Sequence, residues 1–139
     1  MKGKDESAHV DVKLQVRYAE TDQMGHAYYA NYLVWFEVGR ASFCRARGLT
    51  YSRLEEEDKI FLPVVQASCR YLRPLRYDEE FIVRTRVGEL RSRALTFCYE
   101  IVSVDEGTKY CEGETTHVIT DDQVRPRSLP KAYRELLDG

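Results

Sequence analysis

The stretch from Arg17 to Gly48 reads RYAETDQMGHAYYANYLVWFEVGRASFCRARG and predicts a polar turn that leads directly into a long helix. The turn is predicted from Glu20 to His26, where polar residues surround Gly25. The helix is predicted from about Ala30 to Arg47, because this segment has no proline and its apolar residues cover most of a helical surface. Such a helix is expected to be buried on several sides by the rest of the chain.

Most of the remaining sequence has the pattern of β-strands. Residues His9 to Tyr18 alternate between apolar and polar, which predicts a half-buried strand before the turn. Pro63 stands near the start of a second strand and favours a position at a sheet edge. Four strands are predicted after the long helix, at about 60–71, 80–90, 94–104 and 109–120, together with short helices at about 50–57 and 128–137.

This order of elements predicts an α+β fold. One strand, one long helix and several antiparallel strands follow each other, and a long apolar helix has to be covered by a sheet. A curved antiparallel sheet wrapped around the helix satisfies the pattern. The edge strands of such a sheet need a partner or protection, so we expect a symmetric homodimer.

Length and composition narrow the class of protein. The 139 residues are expected to form a single domain, residues 1–139, in which residues 1–7 are a frayed tail. A formal net charge of −2 argues against a nucleic-acid-binding protein. The polar start MKGKDESAHV does not resemble a signal peptide and no apolar run is long enough for a membrane span, so a cytoplasmic protein with four reduced cysteines is expected.

Asp22 is the strongest candidate for a catalytic residue. It stands in a polar turn beside Gly25, just before a helix, where a carboxylate could act as a general base or a nucleophile on an electrophilic carbonyl. Free N–H groups at the helix start could polarise that carbonyl. The alternative is that Asp22 only makes a turn hydrogen bond. The nearby Tyr28, Tyr29 and Tyr32 are interpreted as mainly core aromatics.

The other titratable residues allow weaker hypotheses. His26 could orient a substrate or share a proton, or it could be an ordinary loop histidine. Glu37 and Arg40 are expected to form an ion pair within the helix. His9 and His117 are isolated on strands and are interpreted as structural. No two histidines have metal-ligand spacing, so no metal site is expected.

The run from Tyr18 to Arg40 resembles the signature of the hot-dog-fold acyl-CoA thioesterases. The D-x-x-G motif from Asp22 to Gly25, the following Asn31-Tyr32 pair and the helix after it carry the resemblance together. The similarity is greatest to the 4-hydroxybenzoyl-CoA thioesterases and the Tol–Pal-associated acyl-CoA thioesterases. It extends along nearly all of the chain.

Membership of that family implies a hot-dog fold, in which a curved five-stranded antiparallel sheet surrounds one long central helix. It implies homodimers whose sheets join edge to edge, often paired into homotetramers, with active sites at the dimer interface. The implied reaction is hydrolysis of acyl-CoA to a free acid and CoA, without a metal or other cofactor.

The resemblance also assigns roles to particular residues. Asp22 matches the catalytic carboxylate, and the backbone near Tyr29 matches the group that polarises the thioester carbonyl. His26 stands where several relatives have an apolar residue, so its catalytic role is a hypothesis from this sequence alone. The positions expected to bind substrate are Gly25, Asn31, Val64, Val65, Gln66, Ser92 and Arg93.

Two other functions were weighed against thioester hydrolysis. A hot-dog dehydratase or hydratase could use His26 and Glu37, but the H-F-P type of approach to the helix is missing. A non-catalytic acyl-thioester-binding protein would have no need of Asp22 together with Gly25. The acyl group, and the choice between CoA and acyl-carrier protein, are left open by the sequence.

Overall fold

The computed structural model describes residues 9–138, and the predicted tail at residues 1–7 lies outside them. No helix in this described part is long and apolar enough to cross a bilayer. The elements are β1 (Val10–Gln15), a 3-10 turn (Tyr18–Glu20), α1 (Asn31–Ala46), α2 (Tyr51–Glu57), β2 (Val64–Tyr71), β3 (Glu80–Leu90), β4 (Ala94–Ser103), β5 (Lys109–Val118) and α3 (Lys131–Asp138).

The five strands form one antiparallel sheet in the order β1-β3-β4-β5-β2, with α1 packed on one face. This confirms the predicted α+β hot-dog fold. Strand β2 begins at Val64, directly after Pro63, and lies at a sheet edge as that proline indicated. The first strand is shorter than predicted, because the chain turns after Val16 and Tyr18 begins the exposed 3-10 turn.

Helix α1 is buried on the side that faces the sheet. Phe36 stacks on Tyr99 of β4, with ring centroids 4.3 Å apart. The opposite side, which carries Leu33, Val34 and Glu37, is exposed in this single chain. The expectation of burial on several sides therefore holds for the sheet-facing half only. The buried residues of α1 are Tyr32, Trp35, Phe36, Gly39, Arg40, Phe43 and Cys44.

Gly39 sets the closest approach of α1 to the sheet. A β-carbon at this position would lie 2.5 Å from the Thr85 hydroxyl oxygen and 2.7 Å from a Val83 methyl carbon, both on β3. Real β-carbons do not tolerate such contacts, so only glycine allows the helix to sit this deep in the sheet.

Arg40 does not form the predicted ion pair with Glu37. It is buried, and its guanidinium donates to the Tyr51 hydroxyl (3.0 Å) and the Tyr99 hydroxyl (2.9 Å). Glu37 lies on the exposed side of the helix, and no ion pair within residues 9–138 joins it to Arg40. Residues three apart on a helix can contact each other, as Glu37 and Arg40 were expected to do. Arg40 instead points into the core, where two tyrosine hydroxyls accept its hydrogen bonds.

His117 is structural, in agreement with the sequence analysis. It is fully buried, with Nε2 2.8 Å from the Thr115 hydroxyl and Nδ1 2.9 Å from the Leu62 carbonyl oxygen. Because a carbonyl only accepts, Nδ1 carries the proton and Nε2 accepts from Thr115. Burial lowers the pKa of His117 to about 4, so the ring is neutral near pH 7.

Gly39→Ala is expected to lower the free energy of unfolding by about 1–3 kcal/mol, the usual cost of overpacking a core. An alanine in a helix is otherwise about 1 kcal/mol better than glycine, so the sign of the change tests the close approach. Urea denaturation measures it. A more stable variant would show that α1 can move away from Val83 and Thr85 at little cost.

His117→Gln is expected to flatten the dependence of stability on pH between about 6.5 and 4. The unfolded chain takes up a proton at its ordinary pKa of 6.5, whereas folded His117 does so only near 4. Wild-type protein should therefore lose about 3 kcal/mol from this group as the pH falls through that window. Denaturant titrations at several pH values measure the slope, and a variant that keeps the wild-type slope would contradict the assignment to His117.

Candidate active site

The Asp22 turn lies at the end of the sheet where β1 ends and β3 begins. The Ala27 N–H donates to the Leu75 carbonyl oxygen (2.7 Å), and His26 forms an isolated β-bridge with Arg76. These contacts fasten the turn to the connection that follows β2. The turn and the first residues of α1 therefore share one rigid frame.

Asp22 is oriented by its own turn. Its Oδ1 accepts from the Met24 N–H (2.9 Å) and the His26 N–H (3.2 Å), and the Gly25 N–H donates to its carbonyl oxygen (3.0 Å). Gly25 has φ of +78°, a left-handed conformation that glycine adopts without strain. The turn hydrogen bond considered as the alternative does exist. It uses one carboxylate oxygen, and Oδ2 has no hydrogen-bond partner in the described part of the chain.

The start of α1 presents unused backbone donors. The Asn31 N–H donates to the Tyr28 carbonyl oxygen and the Tyr32 N–H to the Tyr29 carbonyl oxygen. Among residues 9–138, no acceptor is found for the N–H groups of Tyr29 and Ala30, and Ala30 has no side chain that could cap them. Unpaired N–H groups at a helix start stabilise negative charge.

Glu20 is the residue on which this geometry depends, and the sequence analysis missed it. Its buried carboxylate accepts from the Arg17 N–H (2.8 Å), the Arg17 guanidinium (3.1 Å) and the Trp35 indole N–H (3.1 Å). Its carbonyl oxygen accepts from the Tyr28 N–H (2.7 Å) and the Asn31 side-chain amide (2.9 Å). Burial opposes ionisation, but the bonds from Arg17 and Trp35 lower the pKa of Glu20 overall.

Asn31 helps to position the turn, because its amide nitrogen donates to the Glu20 carbonyl oxygen. Its predicted role in substrate binding stays a prediction. The one signal for Glu20 in the sequence was Trp35, since a buried indole N–H needs an acceptor.

Three tyrosines border the turn. Tyr32 is buried as predicted, whereas Tyr28 and Tyr29 are exposed, Tyr29 by 61%, so the core interpretation is wrong for these two. The Tyr71 hydroxyl of β2 donates to the Tyr29 carbonyl oxygen (3.0 Å). Burial, the largest cause, raises the pKa of Tyr32 to about 12, and the nearby Asp22 charge adds to the effect. Tyr32 is thus a neutral hydroxyl close to Asp22.

The structure divides the predicted site residues into two groups. The first group, Asp22, Gly25, His26, Tyr29 and Asn31, lies at the end of the sheet described above. The second lies at the opposite end, where Val64 and Leu95 both pair with His117. Eight residues of β2 separate the ends by about 26 Å. The second group consists of Val64, Val65 and Gln66 at the start of β2 and Ser92 and Arg93 in the β3–β4 hairpin.

A groove of about 520 Å³ lies away from the Asp22 turn, on the sheet face opposite α1. Its lining alternates in charge, with Arg70, Arg84, Arg86, Glu100, Glu112 and Glu114. Lys and Arg are not in excess there, and no part of the Asp22 turn contributes to it. The groove is therefore not a candidate for the reaction site.

Comparisons with known proteins identify thioesterases among the relatives of this chain. The thioesterase-like superfamily matches residues 16–137. YneP of Bacillus subtilis (strain 168) is 36% identical over 127 residues, which cover 90% of this chain and 91% of that protein. The acyl-CoA thioester hydrolase YbgC of Escherichia coli O157:H7 is 30% identical over 120 residues, with 86% and 88% covered.

The structural comparison points the same way. The crystal structure of the DHNA-CoA thioesterase from Staphylococcus aureus superposes with a TM-score of 0.86 at 27% identity, over 92% of this chain and 87% of that one. These findings confirm the resemblance drawn from the D-x-x-G motif and the helix after it. The chain belongs to the thioesterase-like superfamily.

Proposed function

We propose that this protein is an acyl-CoA thioesterase, which hydrolyses the thioester of an acyl-CoA to a free carboxylic acid and CoA. One observation carries the proposal. The Asp22 carboxylate is fixed through one oxygen and open at the other, in the turn that leads to unpaired backbone N–H groups at the start of α1. A base or nucleophile next to an oxyanion-stabilising group is what acyl transfer requires.

The reaction follows from these two parts. Asp22 Oδ2 either takes a proton from a water molecule that attacks the thioester carbonyl, or attacks the carbonyl itself and forms an anhydride that water then cleaves. In both routes negative charge develops on the carbonyl oxygen, where the N–H groups of Tyr29 and Ala30 stabilise it. The carbon–sulfur bond then breaks, and CoA leaves as a thiolate that is protonated to the free thiol.

His26 is a candidate for the residue that donates a proton to the leaving CoA thiolate. It lies in the same turn as Asp22, half exposed, and its ring has no hydrogen-bond partner within residues 9–138. Glu37 lies six residues into α1 from Asn31, about 9 Å along the helix, and on the exposed side. The dehydratase alternative, which needs His26 and Glu37 together, loses support from that placement.

A complete site requires a second copy of the chain. Strand β2 is exposed on both of its faces, Val65 by 58%, whereas on β1 the residues Val10, Val12 and Leu14 pack against the core. Antiparallel pairing of β2 with its copy about a two-fold axis would set the start of one strand against Tyr71, beside Tyr29, of the other. The second group of site residues would thereby join the first in a homodimer.

The same strand pairing would place binding sites for both the CoA part and the acyl part of the substrate. Arg93 of the partner could meet the phosphates of CoA, as guanidinium groups commonly do. An apolar groove of about 340 Å³ adjoins Pro63 and is lined by Leu54, Ile60 and Leu62, which gives room for an acyl group. Pairing of dimers into homotetramers, which rests on the family resemblance, and a cytoplasmic location complete the proposal.

The single shared core of residues 9–138 supports one domain over residues 1–139.

Asp22→Asn is expected to lower kcat/KM by at least about a hundredfold, the scale of a lost acid–base group. The amide oxygen can still accept the two turn hydrogen bonds, so thermal stability should change little. Release of free thiol from aromatic, short-chain and long-chain acyl-CoAs measures the activity. Asp105→Asn is the matched control, because Asp105 also accepts a backbone N–H in an exposed turn, from Gly107 (2.9 Å).

Two results would contradict the assignment. An Asp22→Asn protein as active as wild type would move the chemistry to another residue. Wild-type protein that cleaves neither acyl-CoA nor acyl-carrier-protein thioesters would instead favour the non-catalytic binding protein.

Mixing two inactive variants tests whether the site is shared. Asp22→Asn removes the carboxylate and Arg93→Glu is expected to raise KM for acyl-CoA by repelling its phosphates. When the two chains are co-expressed in equal amounts, half of the dimers are mixed and each has one intact site of two. We expect about a quarter of wild-type activity at low substrate concentration.

A site formed within one chain would give a different activity for the co-expressed variants. If Asp22 and Arg93 acted within one chain, no mixed dimer would hold an intact site and activity would stay at the level of the separate variants. Lys13→Glu makes the same charge change on β1, at the other edge of the sheet, and should leave KM unchanged.

A further inference from the structure

Two cysteines on neighbouring strands face each other inside the fold. The Sγ atoms of Cys69 on β2 and Cys111 on β5 are 3.1 Å apart. In the strand register Cys69 lies opposite Gly113 and Cys111 opposite Tyr71, so the thiols meet on a diagonal. Gly113 carries no side chain, and the Phe36 ring packs against it so closely that a β-carbon there would lie 2.7 Å from the Phe36 Cε2 atom. The sequence analysis treated all four cysteines as independent reduced thiols and missed this contact.

The two thiols differ in access and in acidity. Cys111 is fully buried, whereas Cys69 is partly accessible. The hydrogen bond from Cys111 lowers the pKa of Cys69 to about 7, against the opposing effect of burial. The same bond, together with burial, raises the pKa of Cys111 well above its usual range. An accessible thiol of low pKa beside a second thiol is the arrangement in which oxidation is fast and is captured as a disulfide.

We propose that Cys69 and Cys111 form a dithiol that a hydroperoxide oxidises to an intramolecular disulfide. The Cys69 thiolate attacks a peroxide oxygen, the oxygen–oxygen bond breaks, and the sulfur becomes a sulfenic acid while water or an alcohol leaves after protonation. The Cys111 sulfur then attacks the sulfenic sulfur, the sulfur–oxygen bond breaks, and water leaves with the Cys111 proton. The two thiols lose two electrons in total and the peroxide gains them.

The position of the pair connects this chemistry to the candidate active site. Tyr71 follows Cys69 by two residues, and its hydroxyl donates to the Tyr29 carbonyl oxygen. The Tyr71 ring packs edge-on against Tyr32, with centroids 5.0 Å apart. A disulfide would tie the edge strand β2 to β5 directly behind these tyrosines.

Counting thiols tests the proposal without reference to activity. Native protein is treated with a small molar excess of hydrogen peroxide, quenched, unfolded and alkylated with N-ethylmaleimide. Before oxidation all four cysteines of the chain should be alkylated. Afterwards we expect only Cys44 and Cys98 to react, with a peptide map that joins Cys69 to Cys111. Dithiothreitol should restore the original pattern.

Variants locate the bond. Cys111→Ser should leave Cys69 as a sulfenic acid that dimedone traps, and Cys69→Ser should leave Cys111 unoxidised. Cys98→Ser is the matched control, since Cys98 lies between the buried Phe97 and Tyr99 and so on the opposite sheet face, and it should still form the disulfide. Because serine could disturb the buried Cys111 position, Cys111→Ala serves as a second variant, which should likewise form no disulfide. Alanine cannot donate the hydrogen bond that lowers the pKa of Cys69, so its Cys69 should be oxidised more slowly than in Cys111→Ser.

Three outcomes would overturn the proposal. The first is alkylation of all four cysteines in oxidised wild-type protein. The second is stable Cys69 sulfenic or sulfinic acid while Cys111 remains alkylatable. The third is a disulfide that involves Cys44 or Cys98 in place of the proposed pair.

Discussion

The depth at which α1 sits in the sheet is the constraint on which the rest of the structure depends. The absence of a β-carbon at Gly39 lets the helix approach Val83 and Thr85, and this depth allows Phe36 to stack on Tyr99. A helix held further out would lose that stacking and the burial of its apolar side, which is worth about 1.5–3 kcal/mol for each large side chain. The start of α1, and the turn before it, are placed by the same packing.

Glu20 connects the packed helix α1 to the turn that precedes it. Its carboxylate joins the turn to Trp35 inside the core, while its carbonyl oxygen holds Tyr28 and Asn31. An ionised carboxylate that is buried is costly unless it is paired and hydrogen-bonded, and here Arg17 and Trp35 together donate three hydrogen bonds to it. Glu20 thus fastens the turn that carries Asp22 to helix α1.

The sequence was sufficient for the parts of the fold that depend on periodicity and on turn-forming residues. Strand β3 was predicted with its observed ends, and the edge position of β2 followed from Pro63. The Asp22 turn was found because carboxylate, glycine and helix start are adjacent in the chain. The partners of Glu20, Arg40 and Cys69 were not found, because they lie on other elements of the fold, and local sequence patterns carry no information about which elements pack together.

In the proposed mechanism, the two ends of the sheet have different roles. The turn around Asp22 would carry out bond cleavage, whereas the β3–β4 hairpin and the start of β2 would bind the substrate. Changes in one region need not disturb the packing of the other, since about 26 Å of strand lies between them. Substitutions in the β3–β4 hairpin or at the start of β2 could therefore change the substrate range during evolution without altering the Asp22 turn.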